Sequence, residues 1–189
     1  MTDVAPDFLG PLAAWRAWNV AETEAGRRLT SIHYRETWPV GDPIEAWCYR
    51  SSAVGAAHHI THARHLAPVT GCHCGIYAAT SLDRVREYLV ADHAGWEHVS
   101  PRAERVHRVV GLVSLWGRLI ECEQGYRGSL AYPAHLWVPT HTADSEPVDV
   151  EALALDRVDD AVPVELLDAR SRVEIVDRLD GLAQASSTT

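Results

Sequence analysis

Cys48, His58, His59, His62, His65, Cys72, His73 and Cys74 fall within 27 residues of one another. Thiolate sulfur and imidazole nitrogen are the ligands zinc prefers, and in a tetrahedral site with Zn–S of about 2.3 Å two thiolates stand roughly 3.8 Å apart. The run Cys72-His73-Cys74-Gly75 can bring two sulfurs that close, because Gly75 lets the chain turn away at low steric cost. Cys48 and one histidine would complete a Cys3His set. His65 is the histidine expected, since Pro68 and Gly71 provide a turn that folds it back toward Cys72. Cys-x-Cys is a weaker signal than paired Cys-x-x-Cys, so two other readings stand beside zinc: inert thiols with a solvated histidine loop, and an iron–sulfur centre or catalytic thiol. Four protein ligands leave no position for water, so the zinc expected here is structural and orders the loop around it. A catalytic version needs a water in place of one ligand and a carboxylate base, and no motif places Asp42 or Glu45 there.

Other residues offer less. His58, His62 and His65 would share a face if helical, but an exposed, partly neutral set is the plainer reading. Cys122 alternates with Ile120 on an apolar strand and reads as a packed thiol rather than a nucleophile. Tyr126 and Arg127 follow a hairpin turn, where exposed residues often contact ligands, although an ion pair from Arg127 to Glu121 or Glu123 is the simpler expectation. Of the 7 tryptophans, Trp15 and Trp18 are the candidates for stacking on a ligand. No Gly-rich phosphate loop, nucleophile elbow, His-Glu-x-x-His helix or deaminase signature is present.

The elements that must position these residues can be read from periodicity. Trp15–Val20 and Arg28–Tyr34 are rich in aromatic and β-branched residues about a polar stretch with Gly26, which predicts a hairpin. Ile44–Tyr49 reads as a short strand leading into Cys48, and residues 51 to 75 as an irregular loop. Ser81, as N-cap, opens a predicted helix over 82–90 with Leu82, Val85, Tyr88 and Leu89 on one face. Val106–Cys122 has apolar residues on both parities, as in a strand buried on two sides or bent at Gly111 and Gly117. Gln124-Gly125 turns it into Tyr126–Tyr132, which Pro133 is expected to end. A surface connection over 139–149 should lead to a helix at 150–158, a strand Val162–Leu167, and a helix at 170–182 with Val173, Val176 and Leu179 on one face. Ala185–Thr189 reads as a disordered tail.

Composition limits what this assembly can be. The chain has 189 residues, 47% of them hydrophobic, enough for one folded core. Every one of its 17 cations is arginine, against 26 acids, a formal net charge of −9. The scarcity of Lys, Phe, Asn and Met points to a G+C-rich bacterial genome. Residues 144 to 180 hold 12 acids and 4 arginines, whereas residues 1 to 143 hold 14 and 13, so the acidity belongs to the C-terminal part. The net charge of the whole chain disfavours nucleic acid as a partner, but that argument weakens for the nearly neutral residues 1–143; such a partner would need arginines such as Arg27, Arg28, Arg50, Arg64, Arg105 and Arg108 gathered in space. The start has two acids and no basic segment before an apolar stretch, so a cytoplasmic location with reduced cysteines is expected, and no membrane association.

Arg16-x-Trp18-x-Val20, Ala46-x-Cys48, His65-x-Ala67-Pro68, Cys72-x-Cys74-Gly75-Ile76-Tyr77-Ala78, Gly125-Tyr126-Arg127 and Ala131-Tyr132-Pro133 resemble a poorly characterised family of actinobacterial proteins. The resemblance covers roughly residues 14 to 138 and is most specific at the Cys-x-Cys-Gly-Ile-Tyr and Gly-Tyr-Arg blocks. It implies that Cys48, His65, Cys72 and Cys74 belong to one constellation; it adds no substrate and leaves His58, His59, His62 and His73 outside the pattern. The expected fold is α+β: a mainly antiparallel sheet with a metal-ordered loop in residues 1–138, a connection over 139–149, an acidic α-β-α appendage over 150–182 and a tail over 183–189. The function expected first is a zinc-ordered domain that binds a protein or small ligand. A metal- or thiol-dependent enzyme acting on a small molecule stands as the alternative.

Overall fold

The computed structural model describes residues 10–24, 26–32, 36–48, 65–90, 107–141, 147, 162–169 and 172–186. Three long strands carry the architecture: β1 (Leu12–Thr23), β5 (His107–Cys122) and β6 (Gly125–Pro139). Shorter strands β2 (Gly26–Ser31), β3 (Ile44–Glu45), β4 (Ile76–Ala79) and β7 (Val164–Leu167) and helices α1 (Asp83–Val90) and α2 (Arg172–Ser186) complete the described elements. The sheet is antiparallel except for β7, which runs parallel to β6.

β5 lies between β1 and β6. The other edge of β1 is taken first by β4, at Trp15↔Ala79, and then by β2 from Trp18 onward. The other edge of β6 is taken in turn by β4, β3 and β7. Because β4 touches both β1 and β6, the ladder β1-β5-β6-β4 closes into a ring. The ring buries one face of its strands, the helices cover part of the other, and the parity of side chains sorts the buried residues into two cores. Ala14, Trp18 and Val20 of β1 meet Val109, Val113 and Leu115 of β5 and Leu136 and Val138 of β6 on one side. Trp15, Ala17, Val110 and Trp137 face the other way, where Leu82 and Val85 from α1's end of the chain and Ile175 and Leu179 of α2 cover them. The two-parity pattern over 106–122 is therefore a strand with two buried faces.

Several expectations need correction. Pro133 does not end its strand: β6 continues to Pro139, because Ala134 is an extra residue between the pairs Leu112↔His135 and Val113↔Pro133, and a bulge tolerates proline's missing N–H. The ladder slips again between Trp116 and Leu119, where Gly117 takes a φ of 76°. The helix over 82–90 begins one residue later than its predicted cap implies, since the Leu82 carbonyl accepts from Val85 and Arg86. Ile175, Leu179 and the partly buried Leu182 are the described apolar face of α2, which includes the expected Leu179; the side chains of Val173 and Val176 lie outside what is described. Ala185 and Ser186 belong to that helix rather than to a tail. The strand expected over Ile44–Tyr49 is confined to Ile44–Glu45. The predicted helix at 150–158 lies outside the described residues. Within 150–182, Leu167, Ala169, Ile175 and Leu179 share the outer core with Trp15 and Trp137, Val162 lies in the inner one, and Arg86 of α1 pairs with Asp180 of α2 at 3.0 Å.

Two tests follow from this packing. A Cβ on Gly111 would stand 2.0 Å from the His135 carbonyl oxygen and one on Gly125 2.0 Å from that of Ala78, so neither position has room for a methyl group. Gly111→Ala and Gly125→Ala should each lower stability by about 3 kcal/mol or more, while Gly181→Ala, open on α2, should raise it by about 0.5–1 kcal/mol; urea denaturation midpoints measure all three. His107, at the start of β5, is lowered by burial from 6.5 to about 4, and its Nε2 is buried without a hydrogen-bond partner among the described residues. The unfolded chain therefore takes up a proton that the native state refuses, so this contribution is complete above pH 6.5 and is lost as pH falls toward 4. His107→Gln should flatten the fall in stability between pH 7 and pH 4.5 relative to wild type, read from denaturation midpoints at each pH.

Candidate metal centre

The sheet delivers the four ligand residues from two directions. β3 pairs with β6 at Ile44↔Ala131 and Glu45↔Leu130, and the Ala46 N–H donates to the Ser129 carbonyl at 2.8 Å, which carries the chain along β6 to Cys48. On the other side, Ala67 and Pro68 are buried, and the chain turns where the Cys72 N–H donates to the Val69 carbonyl and Gly71 takes a φ of 82°. Cys74 follows, and Gly75, at φ 122°, sends the chain into β4. A Cβ on Gly75 would lie 3.0 Å from the Cβ atoms of both Arg127 and Pro68, so the position requires glycine for space as well as for conformation.

The sulfurs of Cys48, Cys72 and Cys74 and a ring nitrogen of His65 all lie within 4.8 Å of one another. Cys48 Sγ and Cys72 Sγ are 3.7 Å apart, and His65 Nε2 is 3.3 Å from Cys74 Sγ. The four residues selected from spacing are thus brought together as a set that could hold a metal ion. Cys74 is buried and the other three are partly buried. Desolvation, reinforced by the neighbouring Cys72 and Cys48 sulfurs, raises the Cys74 thiol, against a hydrogen bond involving the Val69 backbone. Cys72 also feels desolvation, but hydrogen bonds from the Cys74 backbone and from the side chains of Cys74, Cys48 and His65 outweigh it and lower its thiol to about 7. One thiol is thereby primed to ionise while another is held protonated until a cation arrives, since metal binding displaces the thiol proton.

The residue that composition and spacing misjudged is Arg127. It forms no ion pair with Glu121 or Glu123; it is only 8% exposed and points into the loop. Its Nη1 donates to the carbonyls of Cys72 and Cys74, its Nε to Cys122 Sγ at 3.4 Å, and its guanidinium lies over the Tyr77 ring. A divalent ion held by three thiolates and a neutral imidazole would carry a net charge of −1, and Arg127, on the carbonyls of the Cys-x-Cys turn, would supply a balancing cation. What places it is the register of the β4–β6 ladder, where Arg127 is directly opposite Tyr77, three residues after Cys74; no pattern in the sequence carries that pairing. Cys122, read as a packed apolar thiol, is instead partly buried and hydrogen-bonded to that arginine.

The other candidates are dispersed. Trp15 is buried against Trp137, with ring centroids 5.3 Å apart, and Trp18 is fully buried edge-on to Trp38, so neither presents a ring face for stacking. Tyr126 packs against the inner core. His73 is exposed and outside the cluster, and His58, His59 and His62 lie outside the described residues. Of the six arginines that a nucleic-acid surface would need, Arg50, Arg64 and Arg105 also lie outside them, and Arg108 donates to the Tyr88 carbonyl. Among the described residues, no helix is long and apolar enough to cross a membrane. Compared with known proteins, the chain matches no family model, no curated protein and no solved structure.

Arg127→Met leaves two carbonyls and the centre's negative charge without their donor. Co2+ titration with a competing chelator should show affinity reduced by about 10–100-fold, the usual cost of removing a group that orients metal ligands. Arg127→Lys, which keeps the charge but cannot span two carbonyls and a sulfur, should recover only part of the loss.

Proposed function

We propose that Cys48, His65, Cys72 and Cys74 bind a single zinc ion in a closed tetrahedral site, and that the ion's role is structural. The observation that carries this reading is the mutual distance of the four ligand atoms, none above 4.8 Å. The 3.7 Å between Cys48 Sγ and Cys72 Sγ matches the spacing of about 3.8 Å that tetrahedral Zn–S bonds require. Four atoms about one point suit a single ion better than a multinuclear iron–sulfur cluster. With all four positions held by protein, the ion acts as a cross-link that ties the end of β3 to the turn before β4.

The same reading makes this a binding domain of the bacterial cytoplasm rather than an enzyme. Trp47 and Leu66, each next to a ligand residue, are 66% and 73% exposed, and Tyr77 is also exposed. Large apolar side chains beside a rigid site favour contact with a protein or small ligand.

Metal analysis of anaerobically purified protein should find one zinc per chain. Cys72→Ser should abolish stoichiometric binding and lower the melting temperature, and the Co2+-substituted protein should show tetrahedral ligand-field bands that added anions do not perturb. Absence of stoichiometric metal, together with an unchanged melting temperature in Cys72→Ser, would falsify the assignment. Bands that shift with added anions would reveal an open coordination position and return the metal-dependent enzyme to first place.

A further inference from the structure

Between Trp15, which pairs with β4, and Trp18, which pairs with β2, the outer edge of β1 has no strand beside it among the described residues. Arg16 occupies this fork. It lies two residues before Trp18 and so projects to the same face, the inner one. Its Nη1 donates to the Tyr77 carbonyl of β4, its Nη2 to Ser31 Oγ of β2 at 3.1 Å, and its Cζ stands 5.1 Å from the centroid of the Trp38 ring. Ser31 is directly opposite Trp18 in the ladder, and Trp18 meets Trp38 edge-on with centroids 5.5 Å apart. Four side chains therefore form one connected group at the fork.

The group has a surplus of donors. Arg16 Nε, Trp18 Nε1 and Trp38 Nε1 are each buried with no hydrogen-bond partner among the described residues. Trp18 is 0% and Trp38 2% exposed, whereas Arg16 is only partly buried, so of the four side chains it is Arg16 through which the group meets solvent. Each unpaired buried donor costs about 1–3 kcal/mol, and native structures rarely leave such groups unmatched. Indole and guanidinium N–H groups only donate, so no rearrangement among the three can pair them. One water offers two lone pairs; a carboxylate offers two oxygens with about four acceptor sites, and its geometry matches the edge of a guanidinium. Burial, incompletely offset by attraction to Glu36 and Tyr88, lowers Arg16 to about 10, the mark of a cation short of negative charge.

We propose that Arg16, Trp18, Ser31 and Trp38 form a subsite for the carboxylate of a small organic acid. The subsite gives the small-ligand part of the proposed function a location, and it rests on that reading only for its biological use. Its own evidence is separate from the metal ligands, apart from the β4 backbone that both share.

Proton–nitrogen spectra of the full-length, metal-loaded protein test the assignment, with the indole N–H signals identified from Trp18→Phe and Trp38→Phe. On titration with acetate and then benzoate, the Trp18 and Trp38 indole signals should move together and saturably, and the melting temperature should rise. Arg16→Lys, which keeps the charge but loses the two-donor edge, should weaken binding about tenfold or more. Ser31→Ala, the milder change to the fold, should weaken it less. Indole signals indifferent to both acids would overturn the proposal and leave the donors to bound water; so would a Trp38→Phe variant that binds as tightly as wild type. Metal content measured on the same samples separates the two readings, since intact zinc with unmoved indoles removes this subsite alone.

Discussion

A strand of four residues, β4, decides how the rest of the molecule can be arranged. It is hydrogen-bonded to β6 along its length and reaches β1 at one pair, and that double contact turns a row of strands into a ring. Closure buries one face of the long strands inside the ring, and residues of α1 and α2 with their flanks cover part of the other, which explains why their sequences lack the in-and-out alternation of a half-solvated sheet. It also dictates the backbone approach at Gly125, where the chain must pass too close to the Ala78 carbonyl for any side chain. The ligand turn ends where this strand starts, so the candidate metal centre is attached to the closure itself.

The chemistry of the centre is shared between the loop and the sheet. The loop and the end of β3 bring the sulfurs and the imidazole, and the sheet brings the cation that holds the turn's carbonyls in place. Such carbonyls, facing inward beside anionic sulfurs, repel one another unless a donor lies between them. Arg127 is that donor, fixed by its place in the β4–β6 ladder and by the ring of Tyr77. Oriented partners behind a ligand shell count for nearly as much as the ligands, and here the partner stands on the hydrogen-bonded β4–β6 ladder.

The ligand set was legible because it depends on residue type, short spacing and a turn: Cys-x-Cys before a glycine, and a histidine placed by Pro68 and Gly71. The long strands and both described helices were legible from periodicity. Pro133 misled because a bulge is a property of two strands in register, which neither strand reveals alone. β4 was missed because four residues are too few for a period to emerge, and it exists through its neighbours. Arg127 and the ligand-seeking tryptophans failed for a related reason. Sequence proximity offered Glu121 and Glu123 as partners for the arginine and left the tryptophan faces open, whereas tertiary burial redirected the one and covered the others.

The pairing of β1 with β5 has a consequence for the order in which the chain can assemble. Leu12 meets Leu115 across about a hundred residues of intervening sequence, and the same ladder runs on to Val20↔His107. β1 and β2 can form their hairpin as soon as both leave the ribosome, but that hairpin then waits, with Trp15, Trp18 and Val20 uncovered, until most of the chain has been made. A tryptophan-rich hairpin with an unfilled edge is prone to pair with the wrong partner during that interval. The fold thus places its heaviest aromatic residues where they stabilise the finished ring and endanger the unfinished one, and a cell making this protein has the most need of chaperones in the time between synthesis of β2 and of β5.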